Sequence, residues 1–159
     1  MIRIRSELPV DVGEIDCVIV AAFKDTQHTD HTEQFIVREL RNHDALTVSL
    51  VAEESGKVLG HVAVSPVAIS DGSKDWYGLG PISVLPEYQR SGIGSQLIHQ
   101  ALADLRNLGA AGCVVLGAPS VRIYVVSSKI VSKRGRTGAD SEVFRRTQKI
   151  SAGQIEPAT

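Results

Sequence analysis

The clearest chemistry in the chain lies in Gln89-Arg90-Ser91-Gly92-Ile93-Gly94. Two glycines stand where an apolar, periodic stretch begins, so the segment reads as a tight turn at a helix start. A helix start offers unpaired N–H groups and the positive end of the backbone dipole, which together attract anions. Glycine there removes the Cβ that would hold a phosphate off the main chain. The expected chemistry is binding of a phosphorylated ligand, largely by backbone groups.

A second feature lies just upstream. Pro81 falls inside a strand-like run, Trp76 to Val84, and proline cannot donate to a sheet ladder. Pairing should break or bulge there, leaving the N–H and C=O groups of Ile82 to Val84 free for an extended ligand carrying amides. A ligand with amides at one end and a diphosphate at the other fits this order of features. A dinucleotide fits less well. The position for a third glycine holds Leu97, and Leu116-Gly117-Ala118 offers no acidic group for a ribose. A P-loop is excluded, since no Gly-Lys-Ser/Thr occurs. His28-Thr-Asp-His31 has metal-like spacing, yet its polar setting reads as a solvated loop, and no metal is expected.

These features need a scaffold. Ile2 to Arg5 alternates as a short edge strand, and Pro9 opens a helix with Val12, Ile15, Val18, Ile19, Ala22 and Phe23 inward. Lys24 to Asp30 is a polar loop. A second helix starts at Thr32 with Phe35, Ile36 and Leu40 as its apolar residues. Three strands follow: Leu46 to Glu53, Val58 to Ile69 and Trp76 to Val84, joined by turns at Glu54-Ser55-Gly56-Lys57 and Ser70-Asp71-Gly72-Ser73. From Ile93, the positions Leu97, Ile98, Ala101, Leu102, Leu105 and Leu108 form a helical stripe with Gly109 as its stop. Gly112 to Gly117 is a fully apolar strand, as in the buried middle of a sheet. The order predicts a mixed α/β sheet in which antiparallel hairpins feed a central βαβ crossover.

At 159 residues the chain is long enough for one real core. Its net charge of −1 argues against a nucleic-acid-binding surface, and no apolar run approaches the ~18 residues of a membrane span. The N-terminal Met1-Ile-Arg-Ile-Arg lacks the apolar centre of a signal peptide, and Cys17 and Cys113 read as buried free thiols, so the cytoplasm is the expected location. Charge is uneven along the chain. Residues 1–120 hold nine Lys and Arg against fifteen Asp and Glu, whereas residues 121–159 hold eight against three.

The stretch Val84-Leu-Pro-Glu-Tyr-Gln89-Arg-Ser-Gly92-Ile-Gly94 resembles the acetyl-CoA signature of the GNAT superfamily of N-acetyltransferases, whose turn reads Q/R-x-x-G-x-G/A. Leu50-Val-Ala-Glu-Glu, Gly60-His-Val-Ala and Trp76-Tyr-Gly-Leu-Gly-Pro resemble one bacterial branch of it. The resemblance covers residues 1–119 and implies a GNAT-like, mostly antiparallel sheet flanked by helices. It implies acetyl-CoA as co-substrate, with the backbone of Ile82 and Val84 on the pantetheine arm. Gln89, Arg90, Ser91, Gly92, Ile93, Gly94 and Ser95 would surround the diphosphate. The implied reaction is acetyl transfer to a primary amine, of a small molecule or a peptide, by direct attack in a ternary complex. For that reaction His61 is the candidate base, with Glu33, Asp75 and Tyr77 as alternatives, and Tyr124 is the candidate proton donor.

Residues 120–159 depart from the family pattern. Gly117-Ala-Pro119 is kept, but Val121 and Arg122 stand where the branch carries a pair of tyrosines opening a helix. This basic segment is expected to form a separate region that need not be ordered, with a last helix fitting Ser141 to Ile150. The competing reading is therefore an acyl-CoA-binding or regulatory domain that has lost part of its acceptor site. Neither nucleic acid nor membrane is an expected partner, and a homodimer is an allowed assembly.

Overall fold

The computed structural model of the protein describes residues 1–26, 31–69, 72–117, 120–124 and 155–157, with side chains described as far as residue 115. The elements in chain order are β1 (Arg3–Ser6), a 3-10 turn (Pro9–Asp11), α1 (Val12–Phe23), α2 (Glu33–Asn42), β2 (Val48–Glu54), β3 (Lys57–Ile69), β4 (Trp76–Val84), a second 3-10 turn (Pro86–Tyr88), α3 (Ile93–Asn107), β5 (Gly112–Gly117), β6 (Ser120–Tyr124) and β7 (Ile155–Pro157). Two compact units emerge: Met1–Ser65 with Gly80–Ala101, and Pro66–Leu79 with Leu102–Thr159.

In the first unit, β1, β2, β3 and β4 follow one another across the sheet. Antiparallel register sets Ile4 against Ala52, Leu50 against Val62 and Val51 against His61. The hairpin between β2 and β3 turns through Ser55 and Gly56, both at positive φ, as a two-residue turn requires. Alternation along β2 and β3 divides the buried residues between two faces. Ile15, Val18 and Ile19 of α1 and Val37 of α2 form one core with Val51, Val58 and Ala63. Gly60 serves the other face. A Cβ there would lie 3.0 Å from the Ser83 carbonyl oxygen and 3.2 Å from Ile93 and Leu97, so only glycine lets the start of α3 pack this tightly. Arg5 closes the edge, donating to Glu53 at 2.6 Å and to Asp11 at 2.6 Å. The Arg5 guanidinium holds the Asp11 carboxyl below its ordinary range.

Three expected burials differ. α2 buries Val37, while Phe35 and Ile36 are about half exposed. Its inward face combines Val37 with Leu40 and Arg41, one helical turn on, and the Phe35 ring lies beneath the Arg38 guanidinium instead. Cys17 is exposed on the outer side of α1, and only Cys113 is buried. Leu108, one residue past α3, is also exposed.

In the second unit, Trp76–Leu79 of β4 pair in parallel with Gly112–Val115 of β5, and β6 runs antiparallel to β5. This parallel pair is the crossover expected from the sequence. Val67–Ile69 of β3 pair with β7, a strand the sequence did not announce. The end of α3 is capped by Gly109 N–H to the Arg106 carbonyl (3.1 Å) and Ala110 N–H to the Leu105 carbonyl (3.0 Å). Burial pushes the Cys113 thiol up to about 12, so it is an inert core group.

No described helix is long and apolar enough to cross a membrane. The loop residues Gln27 to Asp30, the turn residues Ser70 and Asp71, and the expected helix at Ser141 to Ile150 lie outside the described residues.

Candidate functional site

The connection from β4 to α3 is fixed by local bonds. Leu85 N–H donates to the Leu59 carbonyl at 2.9 Å, pinning the end of β4 to β3. Tyr88 N–H then donates to the Leu85 carbonyl at 2.9 Å, which closes the short turn Pro86–Tyr88. The Gln89 side-chain amide donates to the Val84 carbonyl at 3.0 Å, and the Ser91 hydroxyl donates to the Tyr88 carbonyl. Lys57 sits above the Tyr88 ring, 5.6 Å from its centroid. Arg90 and Gly92 both take positive φ, +61° and +88°. Gly92 adopts that conformation without the penalty an L side chain would carry.

The turn therefore delivers the chain directly into α3. Gln96 N–H donates to the Gly92 carbonyl at 3.1 Å, which makes Gly92 the residue before the first helical turn. The N–H groups of Ile93, Gly94 and Ser95 then have no intrahelical acceptor. Ile93 is 1% exposed and anchors the helix, whereas Gln89, Arg90, Ser91, Gly92 and Ser95 are exposed. Among the described residues, a Cβ at Gly94 would meet only the Val84 side chain, at 3.9 Å, and one at Gly92 would meet nothing within 4 Å. Internal packing does not demand glycine at position 94. The space beside the Gly92 and Gly94 Cα atoms is open among the described residues.

The ladder between β4 and β5 ends at Leu79 against Val115, one residue before Gly80-Pro81. Ile82 and Val84, both half-buried, thus continue β4 past the last β5 pair. This is the break in pairing that Pro81 predicts.

His61 is fully buried. Its Nε2 lies 2.8 Å from the Ser49 hydroxyl, which in turn donates to Glu7 Oε2 at 2.5 Å. Arg41 grips the same carboxylate with two bonds of 3.0 Å, from Nε to Oε1 and from Nη2 to Oε2. Burial pushes the Glu7 carboxyl up, but His61, whose Nε2 lies 3.7 Å away, and the hydrogen bonds from Arg41 and Ser49 outweigh it and hold Glu7 well below the usual carboxylate range. The sequence singles out His61 as a candidate, but not the residues that the structure joins to it, Glu7, Arg41 and Ser49. A serine interrupting the apolar run Val48-Ser49-Leu50 was the one available signal.

The other candidates are scattered. Asp75 has φ +63° and its carbonyl accepts from Ala111 N–H at 2.8 Å. Tyr77 stands opposite Cys113, and Tyr124 ends β6 opposite the same cysteine, though its side chain is not among those described. Glu33 opens α2 and lines a recess of about 270 Å³ with Val20, Phe23, Lys24, His31 and Gln34. Among the described residues no group of three or more His, Cys, Asp or Glu could hold a metal ion. His28 lies outside them.

Comparison with known proteins bears on this arrangement. The model of the acetyltransferase (GNAT) family matches residues 6–125. The uncharacterized N-acetyltransferase YhbS of Escherichia coli is 34% identical over 119 residues, 74% of this chain and 68% of that protein. A GNAT family acetyltransferase from Brucella melitensis, solved in complex with acetyl-CoA, is 54% identical with a TM-score of 0.72, over 74% of this chain and 76% of that one. The E. coli YhbS structure, in complex with CoA, gives a TM-score of 0.67 over 74% of this chain and 63% of that one.

Proposed function

Because the chain belongs to the acetyltransferase (GNAT) family, we propose that it binds acetyl-CoA at the turn 89–95 and transfers the acetyl group to a primary amine in a ternary complex. The observation that carries this reading is the glycine turn that opens α3, with free space where side chains at Gly92 and Gly94 would stand, beside a strand whose β5 ladder stops at Leu79. The backbone of Ile82 and Val84 would hold the pantetheine arm, and the Val84 carbonyl is already held by Gln89. Arg90, Ser91, Gly92, Ile93, Gly94 and Ser95 would hold the diphosphate. The helix dipole adds about 0.3–1 kcal/mol per anionic group, and N–H bonds to charged oxygens add more.

Bound acetyl-CoA supplies an activated acetyl carbonyl and a thiolate that takes up one proton on leaving. The chain's own residues must manage the amine. An alkylamine with a pKa of ~10.4 needs roughly 4–5 kcal/mol to be neutral at pH 7, and a positioned base typically contributes about 10²–10⁴-fold. His61 is the proposed base and Tyr124 the proposed proton donor. No covalent enzyme intermediate is required.

The second reading, a domain that binds acyl-CoA without turning it over, draws on the complete burial of His61. A thiol-release assay with acetyl-CoA over a panel of amines separates the two. Amine-dependent release supports the enzyme. Tight binding with no release above the hydrolysis background supports the binding domain.

A further inference from the structure

The first unit holds seven lysines and arginines, and four of them are neutralised by carboxylates. Arg3 and Arg5 pair with Glu53, Arg5 also with Asp11, Arg38 with Asp16 and Arg41 with Glu7. Lys24, Lys57 and Arg90 have no ion-pair partner among the described residues, although acidic groups outnumber basic ones fifteen to nine over residues 1–120. Two of these three cations belong to one corner of the molecule. Lys57 Nζ stands 5.6 Å from the centroid of the Tyr88 ring, and Arg90 follows Tyr88 by two residues in the same turn.

Lys57 opens β3 directly after the hairpin turn, and the carboxylates around it are engaged elsewhere. Glu54, its cross-strand partner, lies 2.9 Å from the Met1 ammonium. Glu53 is taken by Arg3 and Arg5, and Glu14 accepts from Val58 N–H at 3.0 Å. Glu87, the only carboxylate within residues 85–95, forms no ion pair among the described residues. The ammonium therefore keeps its full charge while it rests on an aromatic face, which attracts a cation without neutralising it. That face is itself fixed. Tyr88 N–H donates to the Leu85 carbonyl, and the Tyr88 carbonyl accepts from the Ser91 hydroxyl.

Coenzyme A carries more phosphate than the turn is assigned to hold. Beside its diphosphate it bears a phosphomonoester on the 3′ carbon of the ribose. The amides of a single helix start and Arg90 serve the diphosphate, so a second phosphate, one ribose away, needs a cation that reaches from outside the turn. A phosphomonoester has a second pKa of about 6 and is close to a dianion at neutral pH. A compact ammonium on a flexible stem suits it as a point charge.

We propose that Lys57 is a cofactor-binding residue that pairs with the 3′-phosphate of coenzyme A, with the Tyr88 ring as its seat, so that the protein distinguishes coenzyme A from its 3′-dephospho form. This rests on the turn 89–95 holding the diphosphate. The assignment concerns affinity alone, since the 3′-phosphate lies at the opposite end of the cofactor from the thioester.

Titration calorimetry with coenzyme A and with 3′-dephospho-coenzyme A, at equal ionic strength, tests it on wild type, Lys57→Met and Lys57→Arg. Methionine keeps an apolar stem for the Tyr88 ring at an exposed position, so the fold is expected to hold. Wild type is expected to bind coenzyme A about 10-fold tighter than the dephospho form. Lys57→Met is expected to lose that preference by weakening coenzyme A alone, with affinity for the dephospho form unchanged within about two-fold. Lys57→Arg keeps the charge and is expected to keep the preference. Equal affinity for the two ligands in the wild type overturns the assignment, and so does a preference that survives in Lys57→Met. An equal loss for both ligands in Lys57→Met also overturns it, because Lys57 would then serve the diphosphate that they share. A folded wild type that binds neither ligand instead overturns the reading of the turn beneath it.

Discussion

The turn at 89–95 is mostly exposed, with Ile93 as its buried anchor. Around His61 the reverse holds: the buried His61 and the half-buried Ser49, Glu7 and Arg41, from distant parts of the first unit, are joined by hydrogen bonds. The turn is held by bonds spanning three to five residues, such as Gln89 to Val84 and Ser91 to Tyr88. The buried network spans 34 residues from Glu7 to Arg41 and 42 from Glu7 to Ser49. A ligand site made of backbone can lose a side chain and keep its shape. A buried polar network cannot lose one member without stranding the rest, because an unpaired buried group bears its full desolvation cost. The two regions should therefore fail in opposite ways, one through affinity and the other through stability.

The largest effect is expected from Glu7→Ala. It removes the acceptor of Arg41 and Ser49 together, and we expect a loss of about 3 kcal/mol in chemical denaturation. Acetyl-CoA affinity of the folded fraction should stay within two-fold. A coupled loss of affinity would break the separation between the two regions.

Next is pH. The folded carboxyl of Glu7 lies below its ordinary value of 4.5, so its contribution is fully present above that value and is lost as pH falls through the depressed one. Glu7→Gln should cost about 1.5–3 kcal/mol at neutral pH. The gap between wild type and variant should narrow steadily below pH 4.5. A gap that stays constant on acidification would mean that Glu7 does not stay ionised through these bonds.

Gly94→Ala probes the turn alone. Its Cβ meets only Val84 at 3.9 Å, so thermal stability should hold or rise by up to roughly 0.5–1 kcal/mol. Affinity for acetyl-CoA should nevertheless fall, because the methyl group occupies the open space beside the Gly94 Cα. The smallest effect is expected at Phe35, half exposed on α2. Phe35→Ser should change stability by no more than about 0.5 kcal/mol and leave binding untouched.

The same contrast explains what could be read from the residues alone. The turn, α3 and β4 were legible because each depends on neighbours in sequence: glycine spacing, a helical stripe, a proline inside a strand. The bounds Trp76–Val84 and Gly112–Gly117 emerge as expected. The buried face of α2 was misread because its large apolar residues Phe35 and Ile36 lie next to the one buried position, Val37, so adjacent apolar residues do not say which of them turns inward. Cys17 was misplaced for a related reason, since apolar neighbours along a helix do not say which face a residue occupies. The partners of His61 were invisible. Glu7 and Arg41 look like ordinary surface charges until β1 and α2 bring them together. Nothing local announces an ion pair closed over 34 residues.

Titration calorimetry with acetyl-CoA, run on wild type and on Arg90→Glu/Gly92→Val, tests the central claim most directly. Valine at φ +88° should cost about 1–2 kcal/mol of stability without unfolding the chain. The account predicts one saturable site in the wild type and at least a 100-fold loss of affinity in the double variant, with the folded state verified in the same sample. Undiminished affinity in the folded double variant would contradict it, since the phosphates would then be bound elsewhere.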